Sequence, residues 1–200
     1  MILVDFMEAK RIMEKYGLRV VRSGYVGSED EAERFWKGKD IVLKAISEKA
    51  LHKSKAGLVI SRIRRDEIRE KYAELRKRAE RFSPFKILAQ DMAEGGDEFI
   101  YGSREDSQFG KICIFGLGGI YVELFNDVSI RVLPASVTDI EEMLGELRSK
   151  RLIEGREGMV IDIIKKLSKF SIEEEFSELD INPIIIGENS YSIVDIRMIR

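Results

Sequence analysis

Cysteine and histidine are almost missing from this 200-residue chain, which has one of each, Cys113 and His52, with only three prolines and one tryptophan. A single cysteine excludes an internal disulfide. One Cys with one His also excludes a zinc site built from the usual thiolate and imidazole ligands. Cys113 stands in KICIFG, an apolar strand-like run, so a buried, unreactive thiol is expected. No apolar run approaches the roughly 18 residues that a membrane-spanning helix needs. The start, MILVDFMEAK, meets acidic residues too early for the apolar core of a signal peptide. The expectation is a soluble, cytoplasmic protein. Net charge is lacking too: 36 acidic against 34 basic residues leave about -2, which argues against general nucleic-acid affinity.

Charge itself is plentiful. Charged residues make up 35% of the chain, above the roughly 25% of average domains, and glutamine and asparagine are few. That composition suits a surface laced with ion pairs, as in thermophile proteins. The 44% hydrophobic content is enough for a buried core, in one large domain or two small ones.

The periodicities mix helices and strands. MEAKRIMEKY (7–16) puts Met7, Ile12 and Met13 on one helical face, and Gly17 is a natural stop. LRVV (18–21) predicts a short strand, and Ser28-Glu-Asp-Glu31 predicts a capping box for a helix through Trp36. KDIVLKAI (39–46) and GLVISRI (57–63) predict strands. Between 65 and 82, Ile68, Tyr72, Leu75 and Ala79 recur at three- and four-residue steps, so this charged stretch predicts a solvated helix rather than an RNA patch. Strands are expected at 86–92 and 98–103 around a Gly95-Gly96 turn. Two more apolar strand-like runs share 111–125, joined by Gly116, Gly118 and Gly119, and another strand is expected at 127–134. Thr138-Asp-Ile-Glu141 predicts a cap for a helix to about Arg148, and a further helix covers 162–170. ELDINPIII (178–186) and YSIVDIRMI (191–199) read as a closing hairpin. Without regular βαβ alternation, the class is α+β.

Four features carry chemistry. Lys44 lies inside an otherwise apolar strand, where its ammonium must reach the surface or meet an anion. FGLGG is not a GxGxxG motif and no helix signal follows it, so a hairpin with positive-φ glycines explains it. In the C-terminal hairpin, period two places Asp180 and Asn182 on one face, and the turn can bring Asp195 opposite them. Such oxygen ligands suit Mg²⁺, although the polar outer face of an edge hairpin would look the same. His52, in LHKSKAG among lysines and before a glycine turn, is a candidate nucleophile for a phosphoryl group; the plain alternative is a surface histidine.

The order VLK, LHKSKAG, QDM, EFIYG, RED-QFG, FGLGGIYVELFNDVSIRVLP, ELDINP and VDIR resembles the β subunit of ADP-forming acyl-CoA (acetyl-CoA) synthetase, a relative of the succinyl-CoA synthetase β subunit. The resemblance covers nearly the whole chain. It implies an ATP-grasp fold of two α+β subdomains, approximately 18–85 and 86–200, with the nucleotide between them. It implies ATP or ADP, phosphate and Mg²⁺ as ligands, and a CoA-binding α subunit in an α₂β₂ heterotetramer, with neither nucleic acid nor membrane as partner. Residue by residue, Lys44 matches a lysine on the nucleotide phosphates, Asp91 the acidic residue of the adenine hinge, and Glu98 the residue that holds the ribose. Asn182 and Asp195 match the Mg²⁺ ligands. His52 matches a phosphate-relaying histidine, and Asp180 matches an acidic residue placed to face a phosphohistidine. Three departures stand out: the family's HKSD-x-GG is HKSK-A-GL here, its DPQFG is DSQFG, and the chain is shorter at its N-terminus. Two other readings keep the fold and drop the relay: an ATP-grasp ligase acting on another carboxylate, and a non-catalytic or regulatory subunit.

Overall fold

The computed structural model describes residues 2–47, 49, 57–93, 95–119 and 126–200. Two compact units emerge, Val21–Met92 and a larger one formed by Met1–Val20 with Ala93–Arg200. His52, and the YVELF half of the glycine-linked apolar segment, lie outside the described residues.

The first helix, α1 (Phe6–Lys15), belongs to the larger unit. The Asp5 carboxylate accepts the Met7 N–H at 2.9 Å, satisfying one of the donors that a helix start leaves without a partner. Phe6, Ala9, Ile12 and Met13 form its buried face. Gly17, at φ +71°, ends it in the left-handed conformation that glycine adopts without a Cβ penalty. The strand expected at 18–21 shrinks to one bridge between Val20 and Ile193. The chain leaves the larger unit at this point, so no ladder can continue, and the strand proper starts at Ser23.

The smaller unit contains β1 (Ser23–Val26), α2 (Glu29–Phe35), β2 (Ile41–Ile46), β3 (Val59–Ile63), α3 (Ile68–Ala79) and β4 (Lys86–Asp91). Its strands form an antiparallel sheet in the order β1-β4-β2-β3. Ser28 caps α2 by accepting the Glu31 N–H at 3.2 Å; the Glu31 carboxylate answers to Gly27 instead of Ser28, so the box is shifted by one residue. Ile68, Tyr72, Leu75 and Ala79 of α3 are all buried against Ile41, Leu43, Ala45 and Ile63. Leu58, which stands where the HKSD-x-GG pattern has glycine, joins this core at 0% exposure. Its carbonyl accepts the Ala45 N–H at 2.8 Å, so the departure carries core packing.

The larger unit adds β5 (Asp97–Asp106), β6 (Gly110–Leu117), β7 (Val128–Val132), α4 (Val137–Glu146), α5 (Glu157–Glu173), β8 (Glu178–Ile186), β9 (Tyr191–Ile193) and β10 (Ile196–Ile199). The sheet runs β10-β8-β5-β6-β7, with β9 continuing the β10 side of β8. β4 and β5 therefore lie in different sheets, and Gly95-Gly96 does not close a hairpin. On the inner face Phe99 and Phe115 stack at 5.4 Å, and the Tyr101 hydroxyl meets Ser171 of α5 at 3.1 Å. Cys113 is buried, and burial pushes its thiol up to about 11, as an inert core cysteine requires. No helix among the described residues is long and apolar enough to cross a membrane.

The cap of α4 is Ser136, not Thr138. Its hydroxyl accepts the Asp139 N–H at 3.1 Å while the Asp139 carboxylate accepts the Ser136 N–H at 2.7 Å. The true box thus starts two residues earlier than the Thr138–Glu141 pattern. At the other end of α4, Glu146 receives the Arg131 guanidinium at 2.8 and 3.0 Å and the Ser129 hydroxyl. These donors, Arg131 first, hold the Glu146 carboxyl down at about 2, from an ordinary 4.5. A depressed folded-state pKa gives stability that is complete above the unfolded value and is lost as pH falls through the folded one. Glu146→Gln is therefore expected to lower the urea midpoint at pH 7. The gap to wild type should shrink between about pH 5 and pH 2; a gap independent of pH would contradict this assignment.

Candidate functional site

The larger unit's site begins with a phase slip in β8. Leu179 and Ile181 point into the core, so Asp180 and Asn182 take the opposite face. β5 pairs Tyr101 with Ile181 but Phe99 with Ile184, so one extra residue is accommodated on β8 at Asn182-Pro183. A bulge of this kind re-aims side chains. Ile184 and Ile186 thus turn inward again, and Asn182 sits at the bulge.

On the other side of β8, Ile196 pairs with Ile181 and Ile193 with Ile184. Continuing that register sets Val194 against Pro183, a pairing marked by a 3.1 Å N–H to carbonyl bond. It sets Asp195 across from Asn182, in the gap between β9 and β10. Asp195 also accepts its neighbour Ile196's N–H at 3.1 Å. The expected hairpin is therefore interrupted where its acidic residue comes into line with Asn182.

The Asp180 carboxyl is pushed above the ordinary carboxylate range, first by burial and then by the negative charges of Asp195 and Glu178; Arg197, its cross-strand neighbour, works against them. Two acids and a carboxamide crowd one patch, and a cation would relieve the crowding. No group of three or more His, Cys, Asp or Glu able to hold a metal occurs among the described residues. Asn182 and Asp195 alone would leave most of an octahedral shell to phosphate oxygens and water, which is how Mg²⁺ is usually held beside a nucleotide. The donor set fits that ion.

The glycine turn after β6 belongs to the same place, which the sequence did not reveal. The Gly118 N–H binds the Glu98 carbonyl at 2.7 Å, and the Gly119 N–H binds Asn182 Oδ1 at 3.1 Å. A Cβ on Gly118 would come within 2.5 Å of the Phe99 carbonyl carbon, and one on Gly119 would overlap the Glu98 carboxylate. Glu98 itself is exposed at the start of β5. Glu98, Asp180, Asn182 and Asp195 are thus gathered in one region of the larger unit.

Lys44 and Asp91 belong to the smaller unit, on opposite faces of its sheet. Lys44 pairs with Leu88 and, at 6% exposure, lies on the face turned away from Ile41, Leu43 and Ala45 and the helices they pack on. An ammonium so deep is costly without an anion or strong polar partners. Asp91 pairs with Ile41, and its carboxylate takes the Arg22 guanidinium in a fork at 2.5 and 2.7 Å. Arg22 also stacks on Phe35 at 4.0 Å. Arg22 was not legible as a partner because no period links positions 22 and 91.

The ATP-grasp domain family matches residues 3–199. The chain is 37% identical, over 96% of its length and 89% of the relative's, to the β subunit of acetate–CoA ligase [ADP-forming] I of Pyrococcus furiosus. It is 32% identical over 96% of its length to acetate–CoA ligase [ADP-forming] I of Archaeoglobus fulgidus, of which it spans only 30%. Its fold superposes with a TM-score of 0.83, at 32% identity and over 98% of this chain and 92% of the other, on dinucleotide-forming acetyl-coenzyme A synthetase 1 of Ca. Korarchaeum cryptofilum. That structure holds coenzyme A and Mg-AMPPCP, with its phosphohistidine segment pointing towards the nucleotide binding site. With its antiparallel α+β units and its match from end to end, this chain belongs to the ATP-grasp family of the ADP-forming acetate–CoA ligases.

Proposed function

We propose that this chain is the nucleotide-binding β subunit of an ADP-forming acyl-CoA synthetase, which converts acyl-CoA, ADP and phosphate into the free acid, ATP and CoA. The observation that carries the reading is the strand register that sets Asp195 across from Asn182, with Asp180 on the same face. The Mg-AMPPCP held by the archaeal relative supports it. The partner is a CoA-binding α subunit that forms the acyl phosphate and first carries the phosphoryl group on its own histidine, in an α₂β₂ assembly.

His52 then takes that group: a P–N bond forms on its imidazole as the partner's P–N bond breaks. The terminal phosphate oxygen of ADP next attacks phosphorus, a P–O bond forms, and the imidazole leaves. Asp180 serves as the acidic residue that the family places to face a phosphohistidine. The Lys44 ammonium offsets negative charge on the nucleotide phosphates. Glu98 accepts hydrogen bonds from the ribose, and Asp91, its carboxylate already held by Arg22, anchors the adenine hinge. Asn182 Oδ1 and the Asp195 carboxylate would hold Mg²⁺, which neutralises charge on the transferred group. Most of the catalysis is positioning and charge complementarity.

The test is phosphoryl labelling. The chain is mixed with its α-type partner, Mg²⁺ and γ-labelled ATP, beside a His52→Ala variant. Acid-labile, alkali-stable label is expected on the wild-type chain and absent from the variant. Label on the partner with none on this chain would overturn the relay and mean direct transfer. Absence of nucleotide binding and of any label would establish a non-catalytic subunit instead.

A further inference from the structure

From the glycine turn we infer that Gly119 is the positioning residue for Asn182: its backbone N–H fixes the carboxamide with Oδ1 presented for a divalent cation and Nδ2 turned away. The inference rests on the reading of Asn182 as a cation ligand and goes beyond it. A backbone N–H can be accepted only by the oxygen of a carboxamide, so the 3.1 Å contact from Gly119 settles which end of Asn182 faces the turn. That bond uses one lone pair of Oδ1 and leaves the second for a cation. Partners of this kind orient metal ligands, and losing one typically weakens metal binding by about 10- to 100-fold.

The turn approaches Asn182 through a glycine conformation that other residues adopt only with strain. Gly119 lies at φ +68°, and any side chain there would run into Glu98. Gly118, one residue earlier, is tied to the Glu98 carbonyl at 2.7 Å. The same two-residue turn therefore touches the backbone of the proposed ribose-binding residue and the side chain of the proposed metal ligand. Asn182 needs this support more than an ordinary strand residue would. It stands at a bulge, where the ladder to β5 slips by one and the regular pairing on that side is lost.

The experiment measures Mn²⁺ binding to the full chain by electron paramagnetic resonance in the presence of ADP, for wild type, Asn182→Ala, Gly119→Ala and the double variant. Each single change is expected to weaken Mn²⁺ by roughly 10- to 100-fold, with the double variant no weaker than Asn182→Ala alone. ADP affinity without metal is recorded for Glu98→Ala and Gly119→Ala, which separates displacement of Glu98 from loss of the cation. If Asn182→Ala weakens Mn²⁺ while Gly119→Ala does not, or adds its full effect on top, the positioning role is overturned and the ligand reading stands. If Asn182→Ala leaves Mn²⁺ binding unchanged, the ligand reading itself fails. A second measurement needs no change at Gly119. Its amide proton, followed by glycine-selective NMR in the metal-free chain, should exchange slowly in wild type and faster in Asn182→Ala. Equal exchange rates would overturn the inference.

Discussion

Under the proposed function, Asp195→Ala is expected to cut ATP formation by the assembled enzyme on the order of 10²- to 10³-fold, the usual consequence of losing a charged group placed where transition-state charge develops. The fold should scarcely notice. Asp195 accepts the Ile196 N–H, and losing that bond costs about 1 kcal/mol. It also adds to the negative field that pushes the Asp180 carboxyl up, so its removal relieves a repulsion. The two effects oppose one another, and at roughly 2–4 °C per kcal/mol for a chain of this size Tm should stay within about 4 °C of wild type. Asp195→Asn keeps an oxygen and should lose less turnover than Asp195→Ala. ATP formation with the α-type partner and a melting curve check both statements. Wild-type turnover in Asp195→Ala would remove this residue from the site, and a large fall in Tm would make its role structural. A stable, inactive variant is the signature of a group kept for chemistry at some cost to stability.

The alternation in ELDINP was enough to foresee Asp180 and Asn182 on one strand face, because side-chain direction in a strand has a period of two, with Asp195 brought opposite by the returning chain. Even the bulge leaves a trace: the inward positions run Leu179, Ile181, then Ile184, Ile186, a change of phase at Asn182-Pro183. The helix over 65–82 was equally legible, since Ile68, Tyr72, Leu75 and Ala79 mark a buried stripe on an otherwise charged surface.

Long-range side-chain geometry was not. FGLGG announces a turn, but no local rule states what the turn packs against, and its bond to Asn182 spans 63 positions. The Arg22 fork on Asp91 spans 69 and follows no period. Lys44 was visible as an odd charge in an apolar strand, yet its face could be assigned only once the β2–β4 register was known. The strand expected at Leu18–Val21 failed for another reason. Its β-branched composition is genuine, but a strand needs a continuing partner, and the chain passes there from one unit to the next.

Gly116→Ala should be the most damaging single methyl group in the larger unit. Gly116 pairs with Val128 across the β6–β7 ladder. Its added Cβ would overlap the Asp127 carbonyl oxygen and lie 2.7 Å from Val128 Cα and 2.9 Å from the Asp127 carbonyl carbon. All three are backbone atoms, so no side chain can swing aside to make room. β6 and β7 must separate, which breaks the 2.9 Å bond from the Leu117 N–H to the Asp127 carbonyl. The strain reaches further, because the buried Asp127 carboxylate receives the Arg148 and Ser149 N–H groups at 2.9 and 2.8 Å and so anchors the segment after α4. Overpacking a core with room to relax costs about 1–3 kcal/mol. A backbone clash of this kind belongs at or above the top of that range, which corresponds to a Tm lower by roughly 6–12 °C or more. Gly145→Ala is the control. It adds the same methyl within α4, where nothing lies within 4 Å of the new Cβ, and alanine's better helix propensity should raise stability by about 0.5–1 kcal/mol. Melting curves of the two variants should therefore move in opposite directions. Equal shifts would mean that conformational entropy, not the contact with β7, sets the cost at Gly116.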